Sequence, residues 1–502
     1  PKVMIPTMYD FWLHDVDIHQ GRGKYQFYPH NPMETVINTF PPISFYNNDN
    51  PDWMNKFIFY HVLGHIDFFR SNKFFEDTWN DDICGKALSH KRRINEIRKE
   101  MGEDKRWVDY VIEFTRQIDN LVNIHKKLRN QNNESGSKKS EIDFYLSNFL
   151  KEKDITSHEY MNEVEEYNKL VREYGEEIAK VSFMKNKKKE YPEFQSVYNR
   201  YLEKSEEKED NLIDFLMNNS SRVNRSGNEW MKELMQIVKE TSEYLEPQRF
   251  TKVINEGWAT LAHTELFLND RHLQTHESDF AKIHSAVVQT PEVGLNPYAI
   301  GYNLLNYIRD LGNRGKLGYG FEKIKDFMKR DEYDDSSGKG LETLFNIREN
   351  LDDFQFLNFL DNVNFQEFVD YYNLYVVGKR LDPEEFKWKY YVKSRNGEDY
   401  RDMLIDKLPH PPNIQYEVID DDLLYLDHIF EGKQLHKPYI ENVLRGLYYF
   451  WENPVILLTN DFKIDQDEYM KWVMGYEDID YKIRNMEYVM DDEGFSYKEV
   501  TG

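Results

Sequence analysis

The chain has 502 residues, 40% of them hydrophobic and 31% charged, enough to bury a sizeable core, which excludes a globally disordered protein. Its formal charge of −25 repels phosphate backbones and anionic lipid, so no nucleic acid and no membrane surface is expected as a partner. A single cysteine, Cys84, excludes an internal disulfide and a thiolate zinc cluster and fits a reducing compartment. No apolar run approaches the ~18 residues of a membrane-spanning helix, and the start of the chain carries no basic-then-apolar leader pattern, so a cytoplasmic location is expected.

Residues 1–50 are rich in aromatics and proline, with little helical period, and read as loops and short extended pieces. From Asp52 to Phe69, Met54, Ile58, His61, His65 and Phe68 recur at three- and four-residue steps, which predicts a helix. Residues 90–245 form a charge-dense helical insertion with polar breaks at 130–140 and 218–227, the first of which reads as a disordered loop. The basic run Lys185, Lys187, Lys188 and Lys189 reads as a solvated helix end. Further helices are expected at 248–268 following Pro247, from Ser278 to Pro291, and at 298–311. After the acidic, Gly-containing linker 331–340, residues 356–377 read as paired short helices.

The last third changes character. Strands at 390–394, 413–420, 423–430 and 454–459 interleave with helices at 400–408 and 438–451, a β-α-β-β-α-β order. The expected fold is therefore mainly α. A helical body at 1–385 is followed by a ferredoxin-like α+β domain at 386–465 and an acidic tail at 466–502.

Chemistry could sit at His61 and His65, which share a helix face and so could grip one metal. Spacing alone is weak evidence, since 15 His in this chain give roughly half of one such pair by chance. A second pair, His272 and His276, lies in a polar stretch and reads as surface. His61 and His65 instead share their face with Met54, Ile58 and Phe68, where buried imidazoles need hydrogen bonds or a metal. In NEGWATLAH, Glu256 and His263 stand two helical turns apart. Together the four residues form the N/O donor set of a divalent metal, zinc first among them. Tyr298, beside Asn296 and Pro297 at a helix start, is a candidate oxyanion donor, although a packed tyrosine in a turn is the simpler reading. Asp67 is about 200° around the helix from His65 and is expected to orient a neighbour.

The His-x-x-x-His helix followed by Asn-Glu-Gly-Trp-Ala resembles gluzincin metallopeptidases, which implies a metallopeptidase-like body with His61, His65 and Glu256 as ligands. Those enzymes carry a water-activating Glu directly after the first His, where this chain has Val62. The chain is more fully similar to the stage V sporulation protein R (SpoVR-like) family. That resemblance rests on FYHVLGHIDFFRSNKFF (59–75), the block 216–263 ending in NEGWATLAH, HSAVVQTPEVGLNPYAIGYNLL (284–305), LLYLDHIFEGKQL (423–435) and NPVILLT (453–459). Family members often carry Trp where this chain has Ala262. The resemblance implies a role in spore cortex formation or in bacterial stress response, with a serine-kinase-like protein as partner.

Two functions follow. One is a metal-dependent hydrolase of peptide or amide bonds acting on a peptide or cell-wall-derived substrate, with His263 available for proton transfer if it is not a ligand. The other is a non-catalytic protein with a structural metal, working through its kinase-like partner. His263 discriminates, because three protein ligands leave a position for water and four close the sphere.

Overall fold

The computed structural model describes residues 35–500 except 40, 47–48, 80–82, 119–140, 146–148, 151–162, 164–166, 168, 171–175, 193, 199–211, 291–293, 319–320, 322–323, 325, 383–384, 410, 420–421, 431 and 477–479. The expected loop at 130–140 and most of the first fifty residues lie outside that range. The chain divides into two compact units, one comprising Pro1–Leu121 and Leu216–Gly502, the other Val122–Phe215.

The smaller unit buries an aromatic cluster of Tyr145, Phe149, Phe183 and Phe194, supplied in part by the helix Glu176–Glu190. The lysine run of that helix is not simply a solvated end. Lys187 is buried, and its ammonium reaches Glu163 at 2.7 Å and Glu190 at 3.1 Å, since a buried cation is kept only when paired.

The larger unit opens with a small hairpin, β1 (Thr35–Ile37) and β2 (Ile43–Phe45). Its principal helices are α1 (Asp52–Ser71), α2 (Arg106–Ile118), α3 (Glu229–Phe250), α4 (Lys252–Asn269), α5 (Glu277–Val287), α6 (Pro297–Asn313) and α7 (Gly340–Asn350). Helix α1 is the one expected from its apolar period, with Asp52 in its first turn and Arg70 in its last, each suited to the helix dipole.

The helix expected at 248–268 is in fact the end of one helix and the whole of another. Pro247 lies inside the last turn of α3, and the break falls at Thr251, whose N–H and hydroxyl both donate to the Pro247 carbonyl. Asp353 then starts α4 by accepting from the Val253 and Ile254 N–H groups at 2.9 Å each. Residues 356–377 give two short helices, Asp353–Leu357 and Asn362–Tyr371, the first closed by a capping box from Asp352 and Gln355.

The C-terminal region is α+β, but its strand order is not ferredoxin-like. The strand expected to open that fold, β4 (Lys387–Ser394), pairs among the described residues only with β3 (Val376–Asp382), in a separate hairpin. The five-stranded sheet runs β5 (Asn413–Ile419), β6 (Leu423–Ile429), β7 (Val455–Ile464), β8 (Tyr481–Asp491) and β9 (Gly494–Val500) in spatial order. Only β6 and β7 are parallel, bridged by α8 (Lys437–Trp451) as a crossover. The last two strands come from 466–502, expected as an acidic tail. There Met486, Tyr488 and Met490 alternate into the core, and that period of two outweighs the acidic composition. Gly446 lets α8 approach α2, whose Phe114 ring occupies the space a side chain would need and stacks on Phe450 at 4.8 Å.

Candidate metal centre

Three helices meet at glycines, and the candidate site grows from those meetings. A Cβ at Gly64 of α1 would lie 2.6 Å from the Ala259 Cα of α4 and 3.0 Å from the Ala262 Cβ, so only glycine permits this crossing. Between α4 and α6, Gly257 and Gly301 each place backbone where the other's Cβ would stand. The residues one turn or less from these contacts are His61 and His65 on α1, Glu256 on α4 and Tyr298 on α6. Close backbones bring short side chains within reach of one another.

One donor atom from each of His61, His65 and Glu256 lies within 4.8 Å of the other two. Both imidazoles are buried, and Glu256 Oε2 stands 3.6 Å from His61 Nε2 and 3.5 Å from His65 Nε2. Those separations are long for hydrogen bonds, and Glu256 Oε2 is a buried oxygen with no hydrogen-bond partner among the described residues. Two imidazole nitrogens and a carboxylate oxygen converging this way fit a divalent cation, because a buried carboxylate oxygen is expected to be satisfied. Burial pushes the Glu256 carboxyl up, but the imidazoles of His61 and His65 and the Tyr298 hydroxyl outweigh it, and its pKa falls below the ordinary range. The carboxylate is therefore ionised at neutral pH, as a ligand must be.

Outer partners fix both rings. His65 Nδ1 meets Asn255 Oδ1 at 2.9 Å; that oxygen can only accept, so Nδ1 carries the proton, which would leave Nε2 to ligate a cation shared with Glu256. His61 Nδ1 meets His263 Nδ1 at 2.9 Å, and His263 Nε2 meets His284 Nδ1 at 3.2 Å. With the His61 Nε2 lone pair turned to the centre, each ring in this row donates to the next: His61 to His263, His263 to His284. Burial first, then the neighbouring imidazoles, holds the His263 pKa well below that of a free histidine, and burial lowers that of His284.

The sequence therefore brings His61, His65 and Glu256 together, with Tyr298 alongside, its ring centroid 5.9 Å from that of His61. His263 stands behind His61 and outside the three-residue group. A cavity of about 220 Å³ adjoins the site, lined by the polar residues His61, His263, Asn296 and Tyr298 and the apolar residues Phe57, Ile58 and Val287. Val62, at the position of the usual water-activating carboxylate, packs in the core with Phe57 and Phe267. Asp67 orients neighbours as expected, accepting from Trp258 Nε1 at 2.9 Å and Arg348 at 2.7 Å. Of the second pair, His272 is exposed, while His276 stacks on Trp53 at 5.4 Å. Asn255 and His284 escaped sequence reading. Asn255 precedes the candidate ligand Glu256 directly, and His284 opens a block that carries the family resemblance, but neither position has a spacing that announces it.

Comparison with known proteins decides the family. The profile described as SpoVR like protein matches residues 2–410. The chain belongs to the SpoVR-like family. The SpoVR-like match takes in every residue of the centre and stops before the five-stranded sheet. A relative, the "Uncharacterized protein YcgB" of Escherichia coli (strain K12), is 24% identical over 289 residues, which are 55% of this chain and 49% of that protein. The chain thus spans about half the length of the curated relative it matches. No solved structure matches this SpoVR-like chain. Among its described residues no helix is long and apolar enough to cross a membrane.

Proposed function

We propose that this SpoVR-like protein is a metal-dependent hydrolase of peptide or amide bonds, with a peptide or cell-wall-derived fragment as substrate. The observation that carries the reading is the three-donor group of His61, His65 and Glu256 beside a partly apolar cavity. Three protein donors leave a coordination position for water, the pattern of catalytic zinc, whereas structural zinc takes four. A bound zinc ion would supply Lewis acidity toward a carbonyl and lower the pKa of a water molecule.

The chain's own residues divide the remaining work. Phe57, Ile58 and Val287 would receive an apolar side chain of the substrate and exclude water. Tyr298, beside Glu256 and on the cavity wall, would donate to a developing oxyanion. His263 acts through His61, holding its tautomer, and is a positioning residue in this reading. In the cell the family resemblance suggests spore cortex formation or stress response and a serine-kinase-like partner. Val62, which leaves no water-activating carboxylate at the position directly after His61, favours the second reading of a structural metal in a binding protein.

The test is to incubate the zinc-loaded chain with a panel of peptides and peptidoglycan fragments and identify products by mass spectrometry. Cleavage that falls about 100-fold in kcat in Tyr298→Phe, as loss of an oxyanion donor should cause, supports the hydrolase. A zinc-loaded chain that cleaves nothing in the panel would favour the structural metal.

A further inference from the structure

The β3–β4 hairpin differs from the rest of the surface in charge and in exposure, and the metal-centre reading makes no use of it. Over residues 376–395 there are six lysines and arginines against three acids, a net of +3 in a chain of −25. Trp388, Tyr390, Tyr391 and Val392 are 42–56% exposed, although strands of this composition normally bury a face. The outer edge of β3 is closed, since the Leu381 N–H donates to the Met474 carbonyl at 2.8 Å. The outer edge of β4 pairs with no strand among the described residues. An open strand edge is a template for another chain.

The strand pairing sorts the side chains. Leu381 faces Trp388, Lys379 faces Tyr390 and Val377 faces Val392, so one side of the hairpin is largely apolar and aromatic. Arg380 faces Lys389 and Asp382 faces Lys387, with Tyr391 packed on Gly378 and Lys389 reaching Asp382 at 2.6 Å, so the other side carries three cations against one acid. An added β-strand alternates its own side chains, so one set meets Trp388, Tyr390 and Val392 while the other meets Lys387 and Lys389.

We propose that the outer edge of β4 is the docking edge for an extended segment of a partner protein in which acidic and apolar residues alternate. The segment pairs its backbone with β4, sets its carboxylates against Lys387 and Lys389, and lays its apolar residues beside Trp388, Tyr390 and Val392. The local positive charge in an otherwise acidic surface also directs an acidic segment to this edge rather than elsewhere.

The experiment uses the full chain and a fluorescein-labelled peptide of alternating glutamate and valine, read by anisotropy. Binding should fall about tenfold or more in Lys387→Glu/Lys389→Glu, because two surface ion pairs become repulsions. It should weaken when NaCl is raised from about 50 to 500 mM, which shortens the screening length. A peptide of the same sequence with alternate backbone nitrogens methylated should bind at least about tenfold more weakly, since edge pairing needs those donors. Both lysines are on the exposed surface, and an unchanged melting temperature in the double variant shows that the loss is not one of folding. Equal binding of a lysine–valine peptide, indifference to the double variant, tighter binding of oligothymidylate at the same residues, or self-association of the chain through β4 would each overturn the proposal.

Discussion

The metal centre and the β3–β4 hairpin are built from opposite materials. At the centre, glycines bring three helices close enough for short polar side chains to converge in a buried space. At the hairpin, two strands leave rings and cations in water, with one edge paired to no strand among the described residues. The first arrangement suits a small, strongly held ligand, for which rigidity and outer-partner hydrogen bonds set affinity. The second suits a polypeptide recognised by many weak contacts. The contrast teaches that tolerance to substitution should differ sharply between the two, and that difference can be measured.

The largest effect is expected at the ligands. Glu256→Gln removes the anionic donor from a group of three, and metal affinity should fall by more than about 100-fold, beyond the ~10–100-fold attached to outer partners. Isothermal titration of the chain with zinc checks it, and an unchanged affinity would remove Glu256 from the site. Next comes Gly257→Val. Its side chain would collide with the Gly301 backbone, and overpacking of this kind costs about 1–3 kcal/mol, so urea unfolding should shift to lower midpoint and zinc binding should weaken with it. A fully stable variant would show that the α4–α6 contact is looser than described. Third, Asn255→Ala frees the His65 ring to rotate and should lower zinc affinity about 10–100-fold while leaving the fold intact; circular dichroism separates these two outcomes.

A smaller effect concerns pH. Burial lowers the His284 pKa from 6.5, so the unfolded chain takes up this proton before the folded one does. The stability tied to a neutral His284 is therefore complete above about pH 6.5 and is lost as pH falls toward the folded value, with a slope of at most about 1.4 kcal/mol per pH unit. His284→Gln should flatten the acid-side loss seen in urea midpoints between pH 7 and pH 5.5, and an identical slope would contradict the assignment. Smallest of all, Trp388→Ala on the half-exposed hairpin should change stability by less than about 0.5 kcal/mol. A large loss there would make the hairpin part of the core and erase the comparison.

How much of this was legible in sequence follows the same division. His61, His65 and Glu256 could be read because helical periodicity is regular and places them on single faces, with Met54, Ile58 and Phe68 marking the buried side of α1. The break at Thr251 was hidden because the residue that starts the second helix, Asp353, is a hundred positions away. His263 could be placed near the site but not behind His61, since the order of side chains in a hydrogen-bonded row depends on ring orientation that spacing does not encode. In the C-terminal region the individual strands were readable and their partners were not. Strand β4 alternates well enough to be found, yet nothing local says that it pairs with Val376–Asp382 and stays out of the sheet. Strand β8 was obscured by acidic neighbours, although Met486, Tyr488 and Met490 carry a clear period of two.

The central claim is that His61, His65 and Glu256 hold one divalent metal, and elemental analysis tests it most directly. The chain, purified without chelator and dialysed against zinc-buffered solution, should carry about one zinc, and the Glu256→Gln and His61→Ala variants less than about 0.2, since a folded multidentate site keeps its ion through purification. A wild-type chain with less than about 0.2 metal, or variants that hold as much as wild type, would contradict it.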